Sequence, residues 1–454
     1  MSSTKRMFKP IDMTEGAPWK KLLAFTVPLI IGNIFQQMYS IADTIFLGRF
    51  VGVNALAAVG SSMAIFFLLL VLLMGIGIGV GIMVSQYLGA KNREGISYAI
   101  GNGITIATIL SLAITIFAPL GTRPLLILLN TPPEILDDSV MYMNILLWGI
   151  MGVGFFNILS SIIRGLGDSI TPLIFLIIAS LLNIALNFFF IVILEMGVFG
   201  AAIGTVITQA FSSVLCFRRL IKMRDIFDMK WHYFKPKREY ILQVLKLSLP
   251  TATSQAAFAL GMMIIQPLVN GFGELFIATN VIVMRIDGLI MMPIFSYGNA
   301  ITVYTGQNIG AGKVDRVSSG VKQCATVAAA TAIVMLSLVL LFGHHIAGAF
   351  TDIQEVIDLS IVMLRILAVG YLTLSVGMVL WGAVRGAGDA MSPLWGALFQ
   401  VIFLRIPTAY LFVYLMGVPE ALMYSMLVGW VSNLAIAAFV YRRGKWRSMG
   451  IVRG

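Results

Sequence analysis

Apolar runs too long for an ordinary soluble helix, separated by short polar segments, set the pattern of this chain from residue 22 to residue 441. A helix rises about 1.5 Å per residue and the hydrocarbon of a bilayer is about 30 Å thick, so roughly 20 apolar residues make one crossing. Runs of that length fall at 22–47, 56–87, 96–120, 139–163, 170–194 and 197–219. A second set falls at 247–270, 275–307, 318–343, 358–384, 392–416 and 420–441. Together they predict an all-α membrane protein with twelve transmembrane helices in two pseudo-symmetric six-helix lobes. The two longest runs, 56–87 and 275–307, are each long enough to conceal a break.

The two sets resemble one another in sequence. At an offset of 221 residues, Arg164-Gly165-Leu166-Gly167-Asp168-Ser169-Ile170-Thr171-Pro172 matches Arg385-Gly386-Ala387-Gly388-Asp389-Ala390-Met391-Ser392-Pro393. The same offset aligns Gln86-Tyr87-Leu88-Gly89-Ala90 with Gln307-Asn308-Ile309-Gly310-Ala311, and Pro28 and Pro250 agree to within one residue. The expected organisation is a polar N-terminal segment (1–21), an N-lobe (22–219), a basic linker with a short amphipathic helix (220–246), a C-lobe (247–441) and a basic tail (442–454). Six crossings per half return the chain to the side where it began, so the repeat is parallel. Secondary transporters use such pairs, with a substrate cavity between the halves near the midplane.

Composition and charge then narrow the class. Hydrophobic residues make up 59% and charged residues 11% of the chain, against about a quarter charged in soluble domains. Lipid must therefore solvate most of the surface. The net charge of +11 would suit a nucleic-acid binder only on a basic face of a soluble domain. Here the lysines and arginines sit in alternate short segments, chiefly the N-terminus, the linker and the tail. Only Arg49 and Arg123 fall on the opposite side, and Arg285, Arg365 and Arg405 fall within helices. This is the positive-inside bias. It predicts a multi-pass protein of a bacterial inner (plasma) membrane with both termini cytosolic, the lipid bilayer as its surroundings and no nucleic-acid partner. The segment before residue 22 lacks the pattern of a signal peptide, so the first run is read as a retained helix. Cys216 and Cys324 imply neither a disulfide nor a metal site.

Charge inside hydrocarbon costs a few kcal/mol on insertion scales, so each intramembrane acid needs a reason. Asp43 lies about 33 Å along the helix from Lys21. Asn33, Gln36 or Gln37, Ser40, and Asp43 or Thr44 recur at helical spacing, predicting one polar stripe. Further stripes are Ser180, Asn183 and Asn187 on the fifth helix and Thr205, Thr208 and Gln209 on the sixth. If these face one another, Asp43 gains amide and hydroxyl partners. It could then exchange a proton, or hold a sodium ion with Asn183; a structural carboxylate is the plainer alternative. Asp287 and Arg285 are secondary candidates that should point to different faces, and Arg365 and Arg405 are expected to pair or to snorkel.

Met74-Gly75-Ile76-Gly77-Ile78-Gly79-Val80-Gly81 is glycine-rich, but it lies within an apolar run without a preceding strand or a Gly-Lys-Ser/Thr. Tight helix packing is the better reading than phosphate binding. The three histidines (His232, His344 and His345) are placed in loops, and no nucleophile–base pair is apparent, so no enzyme is expected.

Several segments resemble the multidrug and toxic compound extrusion (MATE) family, and its bacterial DinF-like branch most. They are Met13-Thr14-Glu15-Gly16, Pro28, Gly32-Asn33-Ile34-Phe35-Gln36-Gln37, Asp43-Thr44, Gly48-Arg49-Phe50-Val51-Gly52, Ala55-Leu56-Ala57-Ala58-Val59-Gly60, Gln86-Tyr87-Leu88-Gly89-Ala90 and the two Arg-Gly-x-Gly-Asp turns. The resemblance covers essentially the whole chain. It implies twelve helices in two lobes and export of amphiphilic or cationic drugs or toxins in exchange for H+ or Na+, with no other cofactor. It places the coupling carboxylate on Asp43, with Asn183 and Thr205 beside it. Asn187-Phe188 stands where many relatives have aspartate and proline, leaving a single N-lobe carboxylate. Asn33, Gln36, Gln37, Ser40 and Gln209 are the candidate cavity residues, and a monomer suffices. The rival readings are a lipid-linked oligosaccharide flippase of related fold, and a channel or scaffold.

Overall fold

The computed structural model describes residues 10–452, and in them every regular element is helical. The expectations for residues 1–9 and for Arg453 lie outside the described residues. We number the α-helices α1 Pro18–Phe46, α2 Val53–Gly89, α3 Arg93–Leu128, α4 Pro133–Trp148, α5 Ile150–Gly165, α6 Ile170–Asn187 and α7 Gly197–Lys222. After them come α8 Arg238–Gly271, α9 Glu274–Gly310, α10 Val314–Gly348, α11 Gln354–Gly386, α12 Met391–Leu398, α13 Ile406–Met416 and α14 Ala421–Arg443. Among the described residues, eleven helices are long and apolar enough to cross a membrane, or twelve if the bent pair α4–α5 is one span.

The break falls elsewhere than the longest runs suggested. α2 and α9 are each continuous over 37 residues. The chain instead bends by 49° between α4 and α5, at Gly149. A Cβ there would lie 2.3 Å from Val206 of α7, so the bend follows a close helix approach that only glycine permits. Segments of wider π-helix follow α1 (Leu47–Val51), α6 (Phe188–Ile193) and α12 (Phe399–Arg405). Two further expectations change. His344 and His345 lie near the C-terminal end of α10, not in a loop. The linker carries one 3-10 turn, Trp231–Phe234, and α8 already begins at Arg238, in place of a separate amphipathic helix.

The chain divides into two compact units. One comprises Val27–Ala252 with residues 10–12; the other comprises Met13–Thr26 with residues 253–452. This division runs differently from the boundaries read from the sequence, because the segment before the first span packs with the second half and the start of α8 packs with the first. In the second unit, Gln307 Oε1 accepts from Met13 N at 2.9 Å, and Asn308 Nδ2 donates to Met13 O at 3.1 Å. In the first, Asn102 receives Lys237 N at 2.8 Å and donates to Tyr233 O at 3.2 Å.

The repeat is visible in the hydrogen bonds of each unit. Asp168 caps α6 through Thr171 N (2.9 Å) and Thr171 Oγ1 (2.6 Å). Asp389 caps α12 through Ser392 N (3.0 Å) and Ser392 Oγ (2.6 Å). Side-chain oxygens at this position satisfy N–H groups that a helix start leaves unpaired. The glycine run of α2 serves two neighbours at once. Gly75 and Gly79 meet Ser248 and Ala252 of α8, whereas Gly77 and Gly81 meet Ser161 of α5; added Cβ atoms would lie 2.3–3.1 Å from them. Small residues four apart let two backbones approach, which replaces the hydrophobic drive that lipid removes.

Candidate functional site

The first unit gathers the polar residues of α1, α6 and α7 around Asp43. Asn187 Nδ2 donates to Asp43 Oδ1. The same amide group donates to Asn183 Oδ1 at 2.9 Å, one helical turn back on α6. Asp43 is partly buried, and both asparagines are fully buried. Asn183 Nδ2 and Asn187 Oδ1 are enclosed without a hydrogen-bond partner. Their chemistry leaves one amide donor and one amide acceptor free beside a carboxylate.

Thr205 of α7 stands one step removed. Its hydroxyl is 3.3 Å from that of Tyr39, which lies within electrostatic reach of Asp43. Tyr142 of α4, fully buried, lies within electrostatic reach of both Asp43 and Tyr39. Neither tyrosine was among the residues singled out in the sequence. Tyr39 lies four residues before Asp43 on α1, a spacing that could have found it; Tyr142 lies on a different helix and had no such signal. Gly204 completes the wall, since a Cβ there would lie 2.9 Å from Asn187 Oδ1.

The expected stripe on α1 divides. Gln36, Ser40 and Thr44 occupy an open face, and Thr44 Oγ1 returns to Ser40 O at 2.9 Å. Asn33, Gln37 and Asp43 are partly buried. Spacing of three or four residues covers a broad arc of a helix, so one sequence stripe fills two environments. Gln209 is partly buried with its Oε1 enclosed and unpartnered.

In the second unit, Asp287 is buried and Arg285 exposed, on different faces of α9 as their spacing required. Arg405 is also buried, and it lies within electrostatic reach of Asp287. The Tyr371 hydroxyl faces Asp287 as well. Even so, Asp287 Oδ1, Tyr371 OH, Arg405 Nε and Gln400 Oε1 have no close hydrogen-bond partner. The π-helix Phe399–Arg405 supplies both Gln400 and Arg405. Arg365 is exposed on α11.

Doubled sets of long apolar helices, each enclosing polar groups, define a polytopic membrane protein with two related halves. The chain belongs to the MatE family, whose model matches residues 28–189 and again 250–411. The two matches start 222 residues apart, close to the offset read from the sequence. It is 27% identical over 450 residues to the probable multidrug resistance protein YoeA of Bacillus subtilis, covering 97% of this chain and 96% of that one. It is 28% identical over 442 residues to the probable multidrug resistance protein YpnP of the same organism, covering 97% and 98%. Its fold is similar to a solved structure described as the outward-facing conformation of a multidrug resistance MATE family transporter of the MOP superfamily. The TM-score is 0.90 and the identity 25%, covering 96% of this chain and 97% of that one.

Proposed function

We propose that this protein is a secondary efflux transporter that exports amphiphilic or cationic drugs or toxins by alternating access, in exchange for H+ or Na+. The observation that carries the reading is the contact of Asp43 with Asn187, beside Asn183, within a bundle of membrane-spanning helices. The names of its relatives, each described as a probable multidrug resistance protein, support the substrate class. It works as a monomer in a bacterial inner membrane with both termini in the cytosol, the orientation that puts the basic segments inside.

Deprotonated Asp43 favours a positively charged compound. When Asp43 takes up a proton or a sodium ion, its attraction for that compound falls and the compound leaves. The affinity gained by one partner is lost by the other, which is what coupling requires. Pro28 lies within α1, where a missing backbone hydrogen bond lets the helix bend during the cycle.

The test is reconstitution in liposomes with a proton gradient or a sodium gradient imposed separately, following a fluorescent lipophilic cation. Transport driven by one gradient, and lost in Asp43→Asn with the variant still inserted, is the expected result. Undiminished coupled transport by that variant would sink the assignment of Asp43.

A further inference from the structure

A groove of about 600 Å³ in the second unit is lined by Trp19, Ser319, Lys322, Gln323, Thr326 and Val327. Positions 319, 322, 323, 326 and 327 recur at three- and four-residue intervals, so they form one face of α10 across two turns. Trp19, in the first turn of α1, closes the other side. Its backbone N–H donates to Gln323 Oε1 at 3.0 Å, and Gln323 Nε2 donates to Ser319 Oγ at 3.1 Å. The indole is 44% exposed, and the Lys20 ammonium lies 5.5 Å from its centroid.

Helix length places this groove at a membrane surface. From Lys322 to the end of α10 at Gly348 the helix runs about 39 Å at 1.5 Å per residue. That exceeds the roughly 30 Å of hydrocarbon and leaves Lys322 at headgroup level. Trp19 sits in the first turn of a 34-residue span, and tryptophan is enriched at that level.

The charge around the groove is lopsided. Residues 13–26 and 313–327 carry Lys20, Lys21, Lys313, Arg316 and Lys322 against Glu15 and Asp315. Two of these cations are already engaged with backbone carbonyls. Lys313 Nζ donates to Thr14 O at 3.1 Å, and Arg316 donates to Met13 O at 3.3 Å and Gly16 O at 2.7 Å. Lys20 and Lys322 take part in none of the salt bridges among the described residues. A half-open indole, a valine and two ammonium groups outside any salt bridge, one of them over the indole, match an amphiphile with an anionic head.

We propose that this groove binds one anionic phospholipid. Its phosphate lies between the ammonium groups of Lys322 and Lys20 with the Ser319 hydroxyl as a further donor, and its glycerol and upper acyl chain lie against Trp19 and Val327. A bound lipid would tie the segment leading into α1 to the helix on which it packs. Assignment to the cytosolic leaflet rests on the orientation proposed above, but the binding itself does not. Failure of that orientation would show separately, as accessibility of the tail from the outer side.

The experiment is native mass spectrometry of the purified full-length protein, titrated with phosphatidylglycerol, with phosphatidylcholine and with inorganic phosphate. The wild type is expected to hold one phosphatidylglycerol about thirtyfold more tightly than phosphatidylcholine, the scale set by two lysines at a membrane surface. The paired variant Lys20→Glu/Lys322→Glu should lose that preference, and Lys322→Arg should keep it. Unchanged thermal unfolding of the paired variant certifies its fold, and Lys322→Gln repeats the test if the paired variant unfolds. Equal retention of the two lipids, or a preference that survives charge reversal, overturns the proposal. Displacement of the lipid by millimolar phosphate reassigns the groove to a soluble phosphate ligand, and a dimer lost in the variant reassigns it to a second copy of the chain; either result overturns the lipid reading.

Discussion

Asn187 donates to the carboxylate of Asp43 from 144 residues further along the chain. Hydrogen bonds to a charged group are worth about 1.5–3 kcal/mol, so this bond matters both to the resting structure and to the charge state of Asp43. Asn187→Leu keeps the volume and removes the donor. Drug-gradient coupling should fall by about tenfold or more, while insertion stays normal. Coupled transport at the wild-type level would show that Asn187 only fills space.

Gly204→Ala tests the same contact from behind. The added methyl would lie 2.9 Å from Asn187 Oδ1. Overpacking of this kind costs about 1–3 kcal/mol, and here relief requires moving Asn187 off Asp43. Gly60, with nothing near an added Cβ, is the control. Transport by Gly204→Ala should drop well below that of Gly60→Ala at matched expression.

The buried charges of the second unit should behave as one set. Asp287→Asn removes the negative charge within electrostatic reach of buried Arg405. The two make no direct ion pair, so the loss should fall short of the roughly 3–5 kcal/mol of a broken buried pair. Adding Arg405→Met should recover most of it, because a neutral apolar replacement removes the stranded charge. The readout is the thermal midpoint in detergent; equal midpoints for single and double variants would mean that the two groups do not interact.

The two matched turns give an internal comparison. Asp168 caps its helix and also meets Arg219 Nη2 at 2.7 Å, with its side chain only 2% exposed. Asp389 makes the same two capping bonds. Capping is worth about 1 kcal/mol, so Asp389→Ala should cost about that and Asp168→Ala clearly more. Equal unfolding shifts would assign Arg219 no part in stability.

Acid should loosen the segment after α7. Arg93 binds Asp228 at 2.8 Å and holds its carboxyl below the usual carboxylate range. A depressed value in the folded state means that the contribution is present above the unfolded pKa, about 4, and is lost as pH falls through the lower folded value. Hydrogen exchange of residues 223–237 should rise in that window in the wild type, and Asp228→Asn should flatten the dependence.

Much of this architecture was legible in the sequence because membrane crossing imposes a length and a polarity that need no knowledge of neighbours. The spans, the 221-residue repeat and the isolation of Asp43 all follow from that rule. The polar stripes of the fifth and sixth helices already marked Asn183 and Thr205, the resemblance set them beside Asp43, and the structure brings Asn183 and Asn187 into one group with Asp43. Tyr142 carries no signal in the sequence, because a tyrosine in an apolar run has no periodic partner to mark it. Arg405 stands out in the sequence as an intramembrane charge, but nothing there names the helix that brings Asp287 within its electrostatic reach.

What the sequence determined by itself was therefore one-dimensional: where the chain crosses, how often it repeats, and which polar groups hydrocarbon must enclose. Tertiary structure alone decided which enclosed groups meet. It sent Gly75 and Gly79 to one neighbour and Gly77 and Gly81 to another, bent the fourth span at Gly149, and packed residues 13–26 with the second half of the chain. The physical reason is that lipid exerts no preference among apolar faces. Close packing and the need to satisfy polar atoms choose the partners, and both depend on residues that are distant in sequence.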